Sequence, residues 1–566
     1  MSVDRRNLFR LIAAAGVGTI PFQRALAAEV SRDDEKKQPE PLRAITVEMV
    51  EQAEWIAGIT LTDAERKSVA ATLTRDLVAL NQARKDPLPN SVPPAFQFNP
   101  APELPPSTAG RGTVTPPELK VKKPATDDDL AFTGVTTLAE LVRTKQVSSV
   151  ELTKLALARL KKYDPALKCV VTLTEELALK QAEAADKEIA EGKYRGPLHG
   201  IPWGAKDLIA VPGYPTTWGA ERYKEQKFDT TAEVAKRLET AGAVLVAKLT
   251  LGALALGDEW FGGMTRNPWN VKTGSSGSSA GSCSAVAAGL VPFAIGSETL
   301  GSIVSPARTC GVTGLRPTFG RVSRAGCMTL SWTMDKLGPI TRSVEDAALV
   351  FGAIHGRDPA DPTSVDRPFN WPGKVNLKDL TVGYTETRQK ADDRDDLKAI
   401  KALGVKLVPV KLPSPPALAA IKLVLDVECA AAFDDLPRNG VADGYGRFWG
   451  NTFRAGQFVT AVEYIRAMRL RTLLMQQFAE MMKSVDLYVC PAGSDLYQTN
   501  LTGHPTVCVP NGFQAARGVD MPVGLTFTGR LYEETTLLAV AKAYQEATGF
   551  HTKRPPMDKV TKDNAG

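Results

Sequence analysis

The sequence predicts an α/β protein in which a layered sheet is covered by helices, with a small helical segment before it. Helical patterns at residues 149–162 and 174–191 alternate with apolar runs such as 243–248, and this alternation is typical of a layered sheet. The chain has 566 residues, 43% of them hydrophobic and 23% charged, so it is long enough for one large domain with an appendage. No repeat of the solenoid or propeller kind is visible.

Residues 1–27 have the pattern of an export signal. Arg5 and Arg6 precede the apolar stretch 11–22, and the small residues at 25–27 suit a signal peptidase. The paired arginines resemble a twin-arginine signal, which predicts a periplasmic or secreted protein. The apolar stretch is shorter than the about 20 residues that a membrane helix needs, so we expect no stable membrane insertion after cleavage. An amphipathic first helix of the fold is the alternative.

Residues 28–86 are predicted to form a helical segment. Thr62 and Glu65 have the spacing of a capping box. The apolar residues that follow recur at helical spacing: Val69, Leu73, Leu77 and Leu80. Residues 87–125 are rich in proline, which lacks an amide donor and favours extended backbone, so we predict a linker there. The main domain is then expected to span 126–566.

Charge and cysteine content exclude several classes of function. The formal net charge of +6 is spread thinly over the chain, and no run of Lys and Arg is typical of nucleic-acid binding. The seven cysteines show no CxxC spacing, so most are predicted to be buried small hydrophobic residues, and their odd number leaves at least one unpaired. Clustered His and Cys with metal-ligand spacing are missing from the sequence, so neither a metal nor a cofactor is expected.

Two segments of small residues, 277–282 and 296–307, are the most informative about function. Glycine permits backbone conformations that let several amides converge on one point, and converging amides can stabilise an oxyanion. Serines in such segments are candidate nucleophiles. A flexible Gly/Ser linker is the alternative. The two segments bracket the apolar run 285–288, however, and this favours a packed structure.

The base that would activate such a serine is not an obvious histidine. None of the four histidines lies in a pattern that resembles a nucleophile elbow with a partnered base, so a Ser-His-Asp triad is disfavoured. Lysine can act as the base when it is neutral, and burial lowers its pKa. Lys206 follows the apolar approach 202–205, which is consistent with burial. A surface lysine at the end of a strand is the alternative.

These residues carry a family resemblance. Residues 195–207 read RGPLHGIPWGAKD, and three later segments, 267–270, 277–289 and 296–326, read NPWN, GSSAGSCSAVAAG and GSETLGSIVSPARTCGVTGLRPTFGRVSRAG. Together they resemble the amidase signature family, and the resemblance covers residues 126 to 555. It implies a mixed central sheet with helices on both faces, and an activity that hydrolyses linear C–N bonds other than peptide bonds.

Carried over residue by residue, the resemblance implies a catalytic triad. Ser302 would be the nucleophile, Lys206 the base, and Ser278, held by a cis peptide bond, the serine that passes the proton between them. Ser279 would support the triad with its hydroxyl. Ser275 could also be aligned with the bridging position, but the alanine-rich run downstream anchors the alignment on Ser278.

The resemblance also implies an oxyanion hole and two departures from the usual family pattern. Four backbone amides would form the hole, those of Thr299, Leu300, Gly301 and Ser302. Leu300 stands where the family usually has Gly, and Val304 stands where Arg is common. Both departures bear on substrate specificity and leave the triad intact. Residues 358–485 depart most from the family and are expected to hold helices that shape the substrate entrance.

Three functional hypotheses follow. The leading one is an exported amidase that hydrolyses a small-molecule carboxylic amide to an acid plus ammonia or an amine, through an acyl-serine and without nucleic acid as a partner. Residues 45–80 are similar to the small helical subunit of the tRNA-dependent amidotransferases, an unrelated helical hairpin being the alternative. The second hypothesis is therefore a glutamine amidotransferase-type catalytic subunit. The third is a catalytically silent binding protein of the same fold. The amide and the oligomeric state are left open.

Overall fold

The computed structural model describes most of the chain after residue 43. The described residues are 44–57, 60–83, 97–104, 107, 110–414, 418–439, 444, 449–516 and 518–562. The predicted export signal, residues 1–27, lies outside them. The chain divides into two compact units, Met1–Leu88 and Pro89–Gly566.

Over its described residues, the first unit contains two helices, α1 (Val47–Ala57) and α2 (Asp63–Ala83). The predicted capping box begins α2. The Thr62 amide donates to Glu65 Oε2 at 2.7 Å, and the Glu65 amide donates to Thr62 Oγ1 at 3.4 Å. The two helices are joined by an ion pair in which Arg66 Nε lies 2.6 Å from Glu54 Oε1. Within the predicted helical segment, 28–86, the described residues thus form two helices.

The second unit is built on a mixed sheet of eleven strands in the order β1-β3-β2-β8-β10-β9-β14-β15-β13-β11-β12. Its strands have the following bounds: β1 Val170–Leu173, β2 Pro202–Lys206, β3 Val244–Leu249, β8 Phe293–Glu298, β9 Thr313–Arg316, β10 Lys336–Thr341, β11 Thr381–Thr385, β12 Lys406–Val410, β13 Leu487–Pro491, β14 Thr506–Ala516 and β15 Val519–Gly529. Two small hairpins complete the strands: β4 Glu259–Trp260 with β5 Gly263–Met264, and β6 Arg266–Asn267 with β7 Asn270–Gly274.

Helices flank this sheet. Those before β8 are α3 Asp127–Ala131, α4 Val135–Arg143, α5 Ser149–Leu167, α6 Glu175–Ala190, α7 Glu233–Thr240 and α8 Ala280–Ala287. Those after it are α9 Val304–Cys310, α10 Val344–Ile354, α11 Asp395–Ala402, α12 Leu418–Ile421, α13 Leu423–Ala432, α14 Asp435–Arg438, α15 Trp449–Gly456, α16 Ala461–Met482, α17 Leu496–Thr502, α18 Glu534–Thr548 and α19 Met557–Lys562. The predicted α/β class with a mixed central sheet is confirmed.

The topology of three central strands places the site. Strand β2 pairs in parallel with β3 on one side and with β8 on the other. The carboxyl ends of parallel neighbours meet at one edge of the sheet, where open α/β sheets bind their ligands. Lys206 ends β2 and Glu298 ends β8, so the lysine and the segment that begins at Thr299 come to the same edge.

The predicted linker differs from the structure over its described residues. Phe98 and Ala101 are buried, and the Phe98 ring makes an edge contact with Phe319 at a centroid distance of 5.1 Å. The Thr115 amide donates to the Trp371 carbonyl oxygen at 2.7 Å. The apolar residues among the prolines pack against the rest of the second unit rather than remaining solvated.

The cysteines agree with the expectation of small buried residues. All seven lie among the described residues, none forms a disulfide, and each is buried except Cys327, which is half-buried. Burial is the main reason why the pKa of Cys327 is raised to about 12. None of the helices in the described part of the chain combines the length and the apolar character that crossing a membrane requires.

Candidate active site

Lys206 is wholly buried at the end of β2 and is surrounded by hydroxyl groups. Its Nζ lies 2.8 Å from Ser278 Oγ, 2.9 Å from Ser297 Oγ and 3.1 Å from Ser279 Oγ. Among the described residues, no carboxylate lies within salt-bridge distance of this nitrogen. Burial is the main cause that lowers the pKa of Lys206 to about 7, since the charged form loses its hydration. A neutral amine can accept a proton from a serine hydroxyl.

Ser278 and Ser279 precede α8 and face Lys206 from the neighbouring segment. The peptide bond between Gly277 and Ser278 is cis, as the resemblance implies. Gly277 lies so close to the chain opposite that a Cβ there would stand 1.8 Å from the Gly257 carbonyl oxygen, so only glycine fits. Ser275, the other possible bridging serine, turns its hydroxyl to the Ser276 carbonyl oxygen instead. The contact with Lys206 therefore favours Ser278.

Ser302 lies on the segment between β8 and α9 and is half-buried. The Ser279 amide donates to the Ser302 carbonyl oxygen at 3.0 Å, which joins this segment to the one that carries Ser278. Gly301 adopts a φ of +89°, a left-handed conformation that favours glycine. The structure thus brings Lys206, Ser278 and Ser279 into direct contact and ties Ser302 to them through its backbone.

Glu298 lies directly before the segment that contains the four predicted oxyanion amides, and its side chain binds the two amides directly after that segment. Its Oε2 accepts hydrogen bonds from the amides of Ile303 at 2.8 Å and Val304 at 3.0 Å, which follow that segment. Its Oε1 lies 2.6 Å from Arg316 Nη1. Burial alone would raise the pKa of this carboxyl, but the positive charge of Arg316 and the hydrogen bond from the Val304 amide hold it at about 2. We call residues 299–302 the oxyanion segment.

Three residues at the site were given no role by the sequence analysis. Ser297 contacts Lys206 directly, and Glu298 holds the oxyanion segment. Asp335 accepts a hydrogen bond from Thr299 Oγ1 at 2.6 Å, and burial raises the pKa of its carboxyl. Ser297 and Glu298 lie within the motif at 296–326 and could have been noticed there. Asp335 comes from the loop before β10 and has no local signal.

The remaining titratable groups do not change this picture. His504, for example, is paired with the Thr502 hydroxyl at 2.8 Å, and burial lowers its pKa to about 3. A search of the described residues finds no group of three or more His, Cys, Asp or Glu side chains that could hold a metal ion. The chemistry available at this edge of the sheet is that of a buried lysine amine, serine hydroxyls and backbone amides.

A mixed sheet with helices around it, and a buried lysine that contacts serine hydroxyls where two parallel strands end, define an α/β enzyme with a lysine–serine site. The sequence matches the amidase family over residues 151–496. The chain therefore belongs to the amidase family, the family of amidase signature enzymes that act on C–N bonds.

Curated relatives and a solved structure agree with this assignment. The chain is 34% identical to the A subunit of glutamyl-tRNA(Gln) amidotransferase from Geobacter metallireducens over 478 residues, which cover 74% of this chain and 97% of the relative. It is 35% identical to the protein of the same name from Methylococcus capsulatus over 482 residues, which cover 74% of this chain and 98% of the relative. The solved structure of the native peptide amidase of Stenotrophomonas maltophilia aligns with this structure with a TM-score of 0.66 at 30% sequence identity. The alignment covers 75% of this chain and 98% of the peptide amidase.

Proposed function

We propose that this protein cleaves the C–N bond of a carboxylic amide through an acyl-serine on Ser302. The observation that carries the proposal is the contact of 2.8 Å between Lys206 Nζ and Ser278 Oγ, made by a lysine whose pKa burial lowers to about 7. At neutral pH a large fraction of such a lysine is the free amine, so it can act as a general base. The family assignment supports the same chemistry.

The proposed reaction uses Ser302, Ser278 and Lys206 in turn. Ser302 Oγ attacks the amide carbon while its proton passes to Ser278, whose own proton passes to Lys206. The amides of the oxyanion segment hold the negative oxygen of the tetrahedral intermediate. The proton then returns from Lys206 through Ser278 to the leaving nitrogen, the C–N bond breaks, and ammonia or an amine departs. Water repeats the sequence on the acyl-serine and releases the acid.

For the physiological role, the comparisons favour a glutamine amidotransferase-type catalytic subunit over an exported amidase. The two curated relatives described above are both named as the A subunit of an amidotransferase, and the chain covers almost their whole length. On this proposal the amide is a primary carboxamide such as that of glutamine, and ammonia is the nitrogen product. A panel that compares glutamine with aryl amides and C-terminal peptide amides tests it. Preference for the aryl or peptide amides would favour a free-standing amidase.

The exported amidase remains the second candidate because of one specific observation, the order of Arg5, Arg6, the apolar stretch and the small residues at 25–27. These residues lie outside the described part of the chain. Replacing Arg5 and Arg6 together by Lys tests export in a bacterial host. Precursor of the variant that stays in the cytoplasm would support a twin-arginine signal. Mature variant protein in the periplasm would show that the twin-arginine interpretation is wrong.

The nucleophile is tested with Ser302→Ala. This variant should lose turnover of every amide in the panel and should no longer react with a fluorophosphonate probe, because the attacking oxygen is gone. Ser282→Ala is the matched control, since Ser282 is a buried serine whose hydroxyl donates to the Ile295 carbonyl oxygen at 3.2 Å. The control should keep both reactions. Turnover by Ser302→Ala would remove the nucleophile assignment, and a wild-type chain that never reacts with the probe would favour the silent binding protein.

A further inference from the structure

The loop before β10 is attached to the oxyanion segment through a carboxylate. Asp335 Oδ2 accepts hydrogen bonds from the amides of Leu330 at 2.8 Å and Ser331 at 3.0 Å, which fixes the carboxylate within its own loop. Its other oxygen accepts the Thr299 hydroxyl at 2.6 Å. One oxygen of Asp335 is therefore fixed by the backbone of its own loop, and the other oxygen binds the Thr299 hydroxyl.

The same loop is held from the opposite direction by a buried glutamate of α13. Glu428 is 4% exposed, and its Oε2 accepts hydrogen bonds from Ser331 Oγ at 2.6 Å and from the Thr333 amide at 3.0 Å. Its Oε1 accepts Thr333 Oγ1 at 2.7 Å and the Tyr464 hydroxyl at 2.9 Å. Four donors on one carboxylate fix its position closely, since leaving buried donors unmet is costly.

Helix α16 contributes a second polar attachment to this loop. Arg471 Nη1 donates to Thr333 Oγ1 at 2.7 Å, and Nη2 donates to the Thr333 carbonyl oxygen at 2.9 Å. Its Nε donates to the Leu501 carbonyl oxygen at 2.6 Å. Helices α13 and α16, which lie in the stretch that departs most from the family, thus both hold the loop of residues 330–335.

Apolar side chains also connect the oxyanion segment with these helices. Leu300, which stands where the family usually has glycine, is partly buried against a cluster to which α12, α13 and α16 contribute. The buried members of that cluster are Met334, Ile421, Val424, Leu425, Ala467, Leu474 and Leu501. The oxyanion segment is therefore connected to this helical region by two routes. The Leu300 side chain packs directly against the cluster. The Thr299 hydroxyl contacts Asp335, whose loop is in turn held by the helices.

We propose that Asp335 and Glu428 are positioning residues for the oxyanion hole, and that Glu428 connects helices α13 and α16 to Thr299 by way of Ser331, Thr333 and Asp335. This inference rests on the proposed function, since it assigns these residues to the oxyanion segment of that reaction. Oxyanion donors act only when they stand within about 0.5 Å of the required place. A chain of hydrogen bonds, buried at Glu428 and partly buried at Asp335, ends on Thr299 and supplies such a constraint.

A double-mutant cycle between the two ends of this chain tests the proposal. Thr299→Val removes the hydroxyl and keeps the backbone amide and the side-chain volume, so kcat for the best amide of the panel should fall about tenfold at unchanged KM. Thr299→Ser should restore it. Glu428→Gln keeps the shape of the side chain but weakens its contacts with Ser331 and Thr333, so kcat should fall about threefold. With the connection already cut at Thr299, Glu428→Gln should cause no further loss.

Thr136→Val is the matched control background. Thr136 Oγ1 donates to Asp346 Oδ1 at 2.7 Å, so this variant also loses one hydrogen bond between a threonine and a buried aspartate. Thr136→Val should leave kcat unchanged. In the Thr136→Val background, Glu428→Gln should still lower kcat about threefold. The thermal unfolding curve of each variant gives the fraction of the chain that is folded at the assay temperature, and kcat is referred to that folded fraction.

The outcomes separate this inference from the function on which it rests. Losses in log kcat that simply add in Thr299→Val with Glu428→Gln, or losses confined to KM, would overturn the positioning role. So would a lower unfolding midpoint with no change in kcat. If Ser302→Ala is inert and the cycle is additive, the positioning inference alone fails. If Ser302→Ala still turns over, the proposed function fails as well.

Discussion

Two buried lysines on neighbouring strands show how the same side chain serves different purposes. Lys206 ends β2 and Lys248 lies near the end of β3, and the two strands run in parallel with Lys248 opposite Ala205. Neither lysine is exposed to solvent. Lys248 Nζ lies 2.6 Å from Asp207 Oδ1, whereas Lys206 contacts hydroxyls and the Ser297 carbonyl oxygen. Lys248 therefore forms a buried ion pair, whereas no carboxylate of the described residues pairs with Lys206, the proposed base.

The difference between the two lysines lies in their partners, a carboxylate for Lys248 and hydroxyl and carbonyl groups for Lys206. Asp207 directly follows Lys206 in the sequence, yet it pairs with the lysine of the adjacent strand and accepts the Thr217 amide at 2.8 Å. Lys206 is left with neutral partners, and burial lowers its pKa to about 7. The contrast can be tested by removing each lysine in turn.

The largest effect is expected on catalysis. Lys206→Met should lower kcat/KM by a factor of about 10² to 10⁴, because no base remains to take the proton that leaves Ser302. Ser278→Ala should be nearly as damaging, since it interrupts the same transfer. The double variant should be scarcely worse than either single one, because groups that act as one unit lose function non-additively. Steady-state kinetics of all three variants check this, and losses that add in log kcat/KM would show that the two residues act independently.

The next effect is on stability, and its sign should differ between the two lysines. Lys248→Met leaves Asp207 buried without its partner, so the free energy of unfolding should fall by about 3 to 5 kcal/mol. Lys206→Met removes a buried lysine whose pKa is about 7 in the folded chain against 10.5 as the ordinary value, a difference that costs the folded wild type about 4 kcal/mol at neutral pH. The variant also loses the contacts of Lys206 with three serine hydroxyls, which offsets part of this gain, so the free energy of unfolding should rise by about 2 kcal/mol.

The gain from Lys206→Met should also depend on pH. Between about pH 7 and pH 10.5 the unfolded chain binds more protons at this lysine than the folded chain, so the stability of the wild type rises with pH in that window. Urea unfolding at about pH 6 and about pH 9 should therefore show a larger advantage of the variant at the lower pH. An equal loss of stability in the two methionine variants would contradict the contrast between the lysines.

The smallest effect is expected at Ser279. Its hydroxyl lies 3.1 Å from Lys206 Nζ and accepts the Ser297 amide at 3.2 Å, so it helps to place the lysine without lying on the proposed proton path. Ser279→Ala should lower kcat about tenfold, the value of one lost buried hydrogen bond. Kinetics beside Ser278→Ala measure the difference, and an equal loss in the two variants would mean that the roles of the two serines are not distinct.

The sequence predicts the parts of the site that lie in local motifs. Lys206, Ser278, Ser279 and the oxyanion segment lie in three motifs that resemble the amidase signature family, and the predicted roles of these residues come from that resemblance. The α/β class and the helical pair of the first unit come from hydrophobic periodicity and from the capping box at Thr62. These signals are local, so a single sequence contains them.

The parts that the sequence does not predict depend on contacts between distant segments. Ser297 reaches Lys206 because β8 pairs with β2, and Glu428 meets Ser331 across 97 positions of the chain. The pairing of Asp207 with Lys248 rather than with its neighbour Lys206 follows from the directions of the side chains on two strands. Sequence proximity gives no guide to such partners, and hydrophobic periodicity describes only how an element faces the core.

The central element of the proposed function is Lys206 as the base that activates Ser302, and the pH dependence of fluorophosphonate labelling tests this role without a known substrate. The labelling rate of the wild-type chain should rise with pH and level off, with a midpoint near 7, because the fraction of neutral Lys206 rises in that range. Lys206→Met should label slowly and without this midpoint. The same midpoint in both proteins, or a wild-type midpoint near the ordinary lysine pKa of 10.5, would contradict the account.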